Sequence, residues 1–240
     1  MTTTAYRELK LDGIGVLWCT ISQQKESAVL PADGCTDLIL RDDALVVAGP
    51  STQAFIGRSG EQGVTLGLRF LPGTADAALG MPLGRLRDLH FDAADVLTPD
   101  AQQRGLSLLR QLRDASTPEA KRIACVDLAA EYAHPSAGRK WVAVAHDAAG
   151  RGEAAWMLAQ RLASSERHMH RRMVASFGYG YTTLRRVVRA ERARVMLATG
   201  LNPTETAHRA GYSDQSHLSR ELQRLAGTTP SSLFAPVPWG

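Results

Sequence analysis

The sequence predicts an α+β protein of two domains. An antiparallel β-barrel or sandwich with a helical hairpin is followed by an all-α domain built on two helix-turn-helix units. Three observations carry that expectation. Short β-branched runs separated by Gly, Pro, Asp and Ser fill residues 1–98, the pattern of antiparallel strands. Charge divides unevenly: residues 1–150 hold 15 Lys+Arg against 18 Asp+Glu, while residues 151–240 hold 13 against 6, every one of the 13 an arginine. A segment starting at Ser165 also repeats in constant register from Asp214.

In chain order, IGVLWCTI, SAVLPADG, CTDLILR, ALVVAGP, TQAFIG and GVTLGLRFLPG read as strands. GTADAALG suggests one helical turn or two. TPDAQQRGLSLLRQLRDA and TPEAKRIACVDLAAEYA each open with Thr-Pro, an N-cap followed by the favoured first-turn proline, and predict a hairpin of two helices. Its Leu106, Leu109, Leu112 and Ile123 suit either packing on the β-domain or contact with a second copy. A shorter helix and the boundary AAGRG follow, dividing the chain into 1–98, 99–150 and 151–240.

At an offset of 49, SERHMHRRMVASFGYGYTTL lies over DQSHLSRELQRLAGTTPSSL. His168 falls on His217, Met169 on Leu218, Arg171 on Arg220, Met173 on Leu222, Gly178 on Gly227 and Leu184 on Leu233. Each copy has an apolar seam at helical spacing and a polar outer face, and ends at a glycine suited to the left-handed C′ position. A short helical segment and a tight turn precede each copy, which is the helix-turn-helix plan twice over. Between them, an arginine-rich stretch from Thr182 to Thr199 predicts one connecting helix.

An arginine-rich face opposite an apolar seam points to a polyanion, since the guanidinium fork pairs with phosphate or with guanine O6/N7. The outward residues Arg167, His170, Arg171, Gln215, Ser216, Ser219 and Arg220 have the chemistry to read base edges. Ser165, Arg186, Arg189, Arg192, Ser213 and Arg224 are the candidates for phosphates, which position without specifying. Ser165, Ser213 and Asp214 also suit helix N-caps.

Residues 154–234 resemble the DNA-binding domain of AraC/XylS-family transcription regulators, through Leu158-Ala159, SERHMHRRM, Arg189 and Ala193, and AGYSDQSHLSRELQRLAGTTP. Pro203 and Thr206 stand where aliphatic residues are usual in that family, Arg172 where an apolar residue is common, and Leu218 and Leu222 where phenylalanines are usual. More loosely, YREL, LPADGCTDLIL, VVAGP and LGLRFLPG resemble an N-terminal domain of the same family. The resemblance implies a sensor or assembly domain, in which Trp18, Cys35, Asp37, Arg69 and Phe70 are candidates to line an effector pocket. The competing reading makes Trp18 and Phe70 core, with Asp33 and Asp37 turn residues around Gly34.

The implied partners are double-stranded DNA, a small-molecule effector, RNA polymerase and a second copy of the chain. Other classes fare worse. No apolar run approaches the roughly 18 residues of a bilayer span, and MTTTAYRELKLDG lacks the plan of a secretory signal. Three scattered cysteines fit a reducing cytoplasm and offer no metal-ligand spacing. GxSxG, P-loop and HExxH motifs are absent, so neither an enzyme nor a cofactor is expected. An RNA-binding module fits poorly, because the A-form major groove is too narrow for paired reading helices. A thiol-based sensor or repair protein acting through Cys35 or Cys19 stays open as the alternative.

Overall fold

The computed structural model describes residues 5–22, 27–58, 63–133 and 140–230. Among the described residues, seven strands come first, β1 (Ala5–Leu11), β2 (Gly15–Ser22), β3 (Ser27–Leu30), β4 (Asp37–Arg41), β5 (Ala44–Ala48), β6 (Phe55–Arg58) and β7 (Gly63–Phe70), and an eighth, β8 (His90–Asp92), follows the first helical turn. Six of them form one sheet in the order β1-β2-β7-β4-β5-β8, antiparallel throughout. Period-2 alternation decides its faces. Leu17, Leu38, Leu40, Leu66 and Leu68 are buried in one core together with Leu45 and Val47, and the register pairs Leu68 with both Leu17 and Leu38.

Of the barrel or sandwich that the sequence allows, no closed barrel forms among the described residues: the antiparallel sheet stays open. Among the described residues, strands β3 and β6 pair with each other alone and form a separate ribbon. Their pairing leaves β1 and β8 as the two edges of the large sheet.

Helices α1 (Ala75–Ala78) and α2 (Ala93–Val96) are single turns. The predicted hairpin is α3 (Pro99–Asp114) and α4 (Pro118–Tyr132), with Thr98 and Thr117 as N-caps whose hydroxyls accept from the amides of Ala101 and Ala120. Its apolar side covers the sheet: Leu109, Leu112, Ala124, Leu128 and Tyr132 are buried in the β-domain core, and Leu106 packs against it. Ile123 points away and is half exposed.

The next helix, α5 (Lys140–Gly150), runs into the AAGRG stretch that reads as a boundary in the sequence. Its Trp141, Val142, Ala145, Ala148 and Ala149 share a core with Leu158, Met169, Met173 and Leu184, so α5 packs as part of the C-terminal helical unit. That unit continues with α6 (Ala155–Arg161), α7 (Glu166–Phe177), α8 (Tyr181–Ala198), α9 (Pro203–Ala210) and α10 (Gln215–Ala226). Among the described residues, no helix is long and apolar enough to cross a membrane.

Candidate nucleic-acid interface

The two repeated helices, α7 and α10, have 12 residues each and start 49 apart, as the register of the repeat requires. Local chemistry fixes both ends. Ser165 caps α7 by accepting from the His168 amide, and Asp214 caps α10 by accepting from the His217 amide. Gly178 and Gly227 close them at φ +78° and +63°, a conformation in which a side chain is strained. The inner seams are dry: Met169, Met173, Leu218, Leu222 and Leu225 are all buried. Leu233, the predicted partner of Leu184, lies outside the described residues.

Departures from the family pattern fit their surroundings. Pro203 is the first residue of α9, behind an Asn202 cap. Thr206 is fully buried, with its hydroxyl donating to the Leu201 carbonyl. The Arg172 guanidinium lies 4.2 Å over the Trp141 ring, a cation–π contact that makes an arginine serviceable there.

The predicted base-reading residues fall on the outer faces. Arg167, His170 and Arg171 are exposed on α7, and Gln215, Ser216 and Arg220 on α10. Ser219 is partly exposed, and its hydroxyl donates to the Gln215 carbonyl one turn back. Gln215 accepts from the Thr204 hydroxyl through its side-chain oxygen. A recess of about 340 Å³ at the start of α7 is lined by Ser165, Arg167, His168, His170 and Arg171. Two arginines and a helix N-terminus in one concavity suit an anion.

The phosphate candidates divide. Arg192 and Arg224 are exposed. Ser165 serves as the α7 cap, while the Ser213 hydroxyl donates to Asp214. Arg186 and Arg189, which sequence reasoning assigns to phosphates, are half-buried and already paired within the protein. Arg186 makes a bidentate pair with Glu221 at 2.9 and 2.8 Å, Arg189 approaches the same carboxylate at 3.5 Å, and its guanidinium lies 4.2 Å over Tyr212. Burial alone would raise the Glu221 carboxyl, but the bonds and charges of these arginines outweigh it and hold it below the usual range. The result is an electrostatic joint between α8 and α10.

Glu221 was legible in principle. It stands on the buried arc of α10, between Leu218 and Leu222, in a segment otherwise short of acids. An acid placed there requires a cation opposite.

The candidate effector residues Trp18, Asp37 and Arg69 do meet, and they occupy one another. The Trp18 indole donates to Asp37 at 2.6 Å, and Arg69 Nε lies 3.4 Å from Asp37 and 3.0 Å from Asp33. Burial pushes the Asp37 carboxyl up to about 6, against the opposing pull of Arg69. Cys35 sits beside them, its amide donating to Asp33; burial and the Asp33 charge push its thiol well above the ordinary range. Burial also raises Cys19. A protonated thiol is a poor nucleophile, which disfavours the thiol-based alternative. Phe70 belongs to the core, edge-to-face with Tyr132 at 5.4 Å.

Sequence reasoning missed how this cluster joins the helical unit. Asp33 bonds Ser51, and the Gly34 amide donates to the Ser51 carbonyl. The fully buried Tyr179, in the turn between α7 and α8, donates its hydroxyl to the Gly34 carbonyl at 3.0 Å. Ser176 donates to Asp76, and Gly178 lies against Pro50. At the other unit, the amides of Ala32 and Ala54 donate to the carbonyls of Leu225 and Arg224, and Gly227 lies against Val29. Segments 31–34 and 49–54 thus bracket the C-terminal ends of both repeated helices.

A family model described as a helix-turn-helix domain matches residues 158–235, and one described as a domain of unknown function (DUF6597) matches residues 12–92. The HTH-type transcriptional regulator VirS of Mycobacterium tuberculosis is 32% identical over 120 residues, covering 49% of this chain and 35% of that protein. The match thus spans about a third of the length of that relative. Among solved structures, ToxT from Vibrio cholerae covers 97% of this chain and 98% of its own at 12% identity and TM-score 0.46. The C-terminal domain of AraT from Geobacillus stearothermophilus covers 40% of this chain and 84% of its own at 22% identity and TM-score 0.37.

Proposed function

We propose that the chain, whose helix-turn-helix match over residues 158–235 and likeness to VirS accord with an AraC/XylS-type regulator, reads two adjacent major-groove segments of a specific DNA site with α7 and α10. The observation that carries the proposal is the in-register pair of helices, each with a dry seam and an exposed polar face. The 18 residues of α8 join them. At 1.5 Å per residue such a helix spans roughly 27 Å, a spacer on the scale of the 34 Å between successive major grooves. In this reading Arg167, His170, Arg171, Gln215, Ser216, Ser219 and Arg220 face bases, and Arg192 and Arg224 face phosphates.

The β-rich domain is the modulator, since its segments 31–34 and 49–54 touch both reading units. A cytoplasmic protein is what this reading requires, since it must reach a DNA site. The thiol-based alternative has less support, because Cys35 and Cys19 both sit where burial keeps them protonated.

Selection of bound sequences from random duplexes with the full chain, at about 0.15 M salt to suppress electrostatic binding, tests the reading. Two enriched blocks about one helical turn apart are expected; absence of enrichment, both here and with residues 140–240 alone, rejects it. On the selected site, Arg220→Ala should relax preference at one position and cost about 1–3 kcal/mol, whereas Arg192→Ala should mainly lower the salt slope, by about 0.9. Sequence preference and slope both unmoved in the two variants would show the assigned face to be wrong.

A further inference from the structure

A second recess, of about 280 Å³, opens on the β-domain between the β3–β6 ribbon and the segment leading into β8. Its walls are Phe55, Ile56, Leu89 and His90, and its polar groups include Asp88 and Gln53. Ile56 and Leu89 are 69% and 51% exposed, so the rim of the recess offers apolar surface to a ligand. Phe55 and His90 meet edge-to-face at 4.9 Å, giving an aromatic corner.

Asp88 is the acidic residue of this lining. It is held at φ +60°, and its two oxygens accept from the Thr52 amide at 2.5 Å and the Thr52 hydroxyl at 2.7 Å. A carboxylate has about four acceptor sites, so roughly two remain. Arg87 Nε forms an ion pair with it at 3.9 Å, beyond hydrogen-bond reach and from a side chain that is 55% exposed, so solvent screens it and a ligand's ammonium can compete for the carboxylate. Burial and the Arg41 charge keep His90 below its usual value, so it adds no compensating charge near neutral pH.

We propose that this recess binds a single-ring aromatic amine, its ring against Phe55, Ile56, Leu89 and His90 and its ammonium on the Asp88 carboxylate. Volume sets the size. A cavity of about 150 Å³ holds benzene, and drug-sized ligands need about 300 Å³ or more, so one ring with a short amine arm fits. Charge sets the sign, since an anion would face Asp88.

The proposal deepens the modulatory role assigned above to the β-rich domain, and rests on that reading only for its consequence. The strand that supplies Phe55 and Ile56 follows directly on Ala54, whose amide caps the Arg224 carbonyl of α10. On the other side, the Asp88 amide donates to the carbonyl of Pro50, the residue packed on Gly178 of the first unit. A ligand that moves this wall therefore moves both brackets together.

The binding test needs no DNA. Benzylamine, toluene and benzoate are titrated into the full chain by calorimetry or ligand-observed NMR. Benzylamine should saturate with a Kd of roughly 1 mM or tighter, in line with single-ring fragments, and at least tenfold tighter than the other two. Asp88→Asn tolerates the positive φ and keeps an acceptor for the Thr52 amide, and should weaken benzylamine at least tenfold. Ile56→Trp, at an exposed strand position that suits an aromatic, should block the recess without touching the core.

The site is refuted by any of three results: no saturation below about 10 mM, benzoate binding as well as benzylamine, or both variants binding as the parent does. In a second arm, benzylamine should change the Kd for the selected duplex at least threefold, and DNA should change benzylamine affinity by the same factor. Asp88-dependent binding without that change would overturn the coupling and leave the site standing. Failure of the DNA reading itself would appear only in the selection experiment.

Discussion

Replacing Glu221 with alanine removes the shared partner of Arg186 and Arg189 and tests the joint between α8 and α10. Breaking a fully buried ion pair costs about 3–5 kcal/mol, and an exposed one about 0–1 kcal/mol. Here the Glu221 side chain is 9% exposed and the two arginines 26% and 29%. The cost should lie between the limits, at about 2 kcal/mol, and lower Tm by roughly 4–8 °C for a chain of this size. The sign of the pH dependence follows from the depressed carboxyl. Its contribution is complete above the ordinary Glu value of about 4.3 and disappears as pH falls through the lower folded value. The same change frees two guanidiniums beside the proposed DNA face. Each new phosphate contact steepens the salt dependence by about 0.9, so the slope for random-sequence DNA should steepen by up to about 1.8. Thermal unfolding from pH 3 to 7, and fluorescence anisotropy on a random duplex from 50 to 200 mM KCl, provide the readouts. A Tm within 1 °C of the parent together with an unchanged slope would refute the reasoning, because the pair would then hold neither stability nor charge in reserve.

Three further outcomes are expected. Gly34→Ala forces a side chain at φ +70° and places its Cβ 2.3 Å from the Tyr179 hydroxyl, so it should undock the domains at a cost of about 2–4 kcal/mol. Tyr179→Phe, which loses only the hydrogen bond, should cost about 1–2 kcal/mol; the rate of limited proteolysis of the full chain should rise in both, and equal effects would contradict the steric account. Asp37 titrates near 6 in the fold, pushed up by burial against Arg69, with Asp33, Trp18 and Cys35 beside it. Because the folded value lies above the ordinary one of about 3.9, stability should fall as pH rises from about 4 to 6, and Asp37→Asn should flatten that fall in denaturation curves. Finally, Cys35 should resist iodoacetamide at pH 8 until the chain is unfolded; mass spectrometry showing it alkylated as fast as a peptide thiol would reinstate the sensor reading.

Features that depend on near neighbours were largely legible in the sequence, although it offered both Ser213 and Asp214 as the α10 cap and the structure uses Asp214. Thr98, Thr117, Ser165 and Asp214 announce helix starts, and Gly178 and Gly227 announce helix ends. Capping and amphipathic spacing act across three or four residues, so they leave a readable period. The outward faces of α7 and α10 were legible for the same reason, since whatever is not on the seam faces out.

Tertiary structure alone decided where the ribbon of β3 and β6 goes, that Arg186 and Arg189 turn inward, and that Gly34 meets Tyr179 145 residues away. It also placed Asp88 beside Phe55 and Ile56 in one recess. These contacts join single residues far apart in the chain, and a single contact has no periodicity. Arginine looks the same in a sequence whether its charge waits for a phosphate or is already met by a buried carboxylate. That choice is made by which residues the packed core brings opposite it, and here the core brought Glu221.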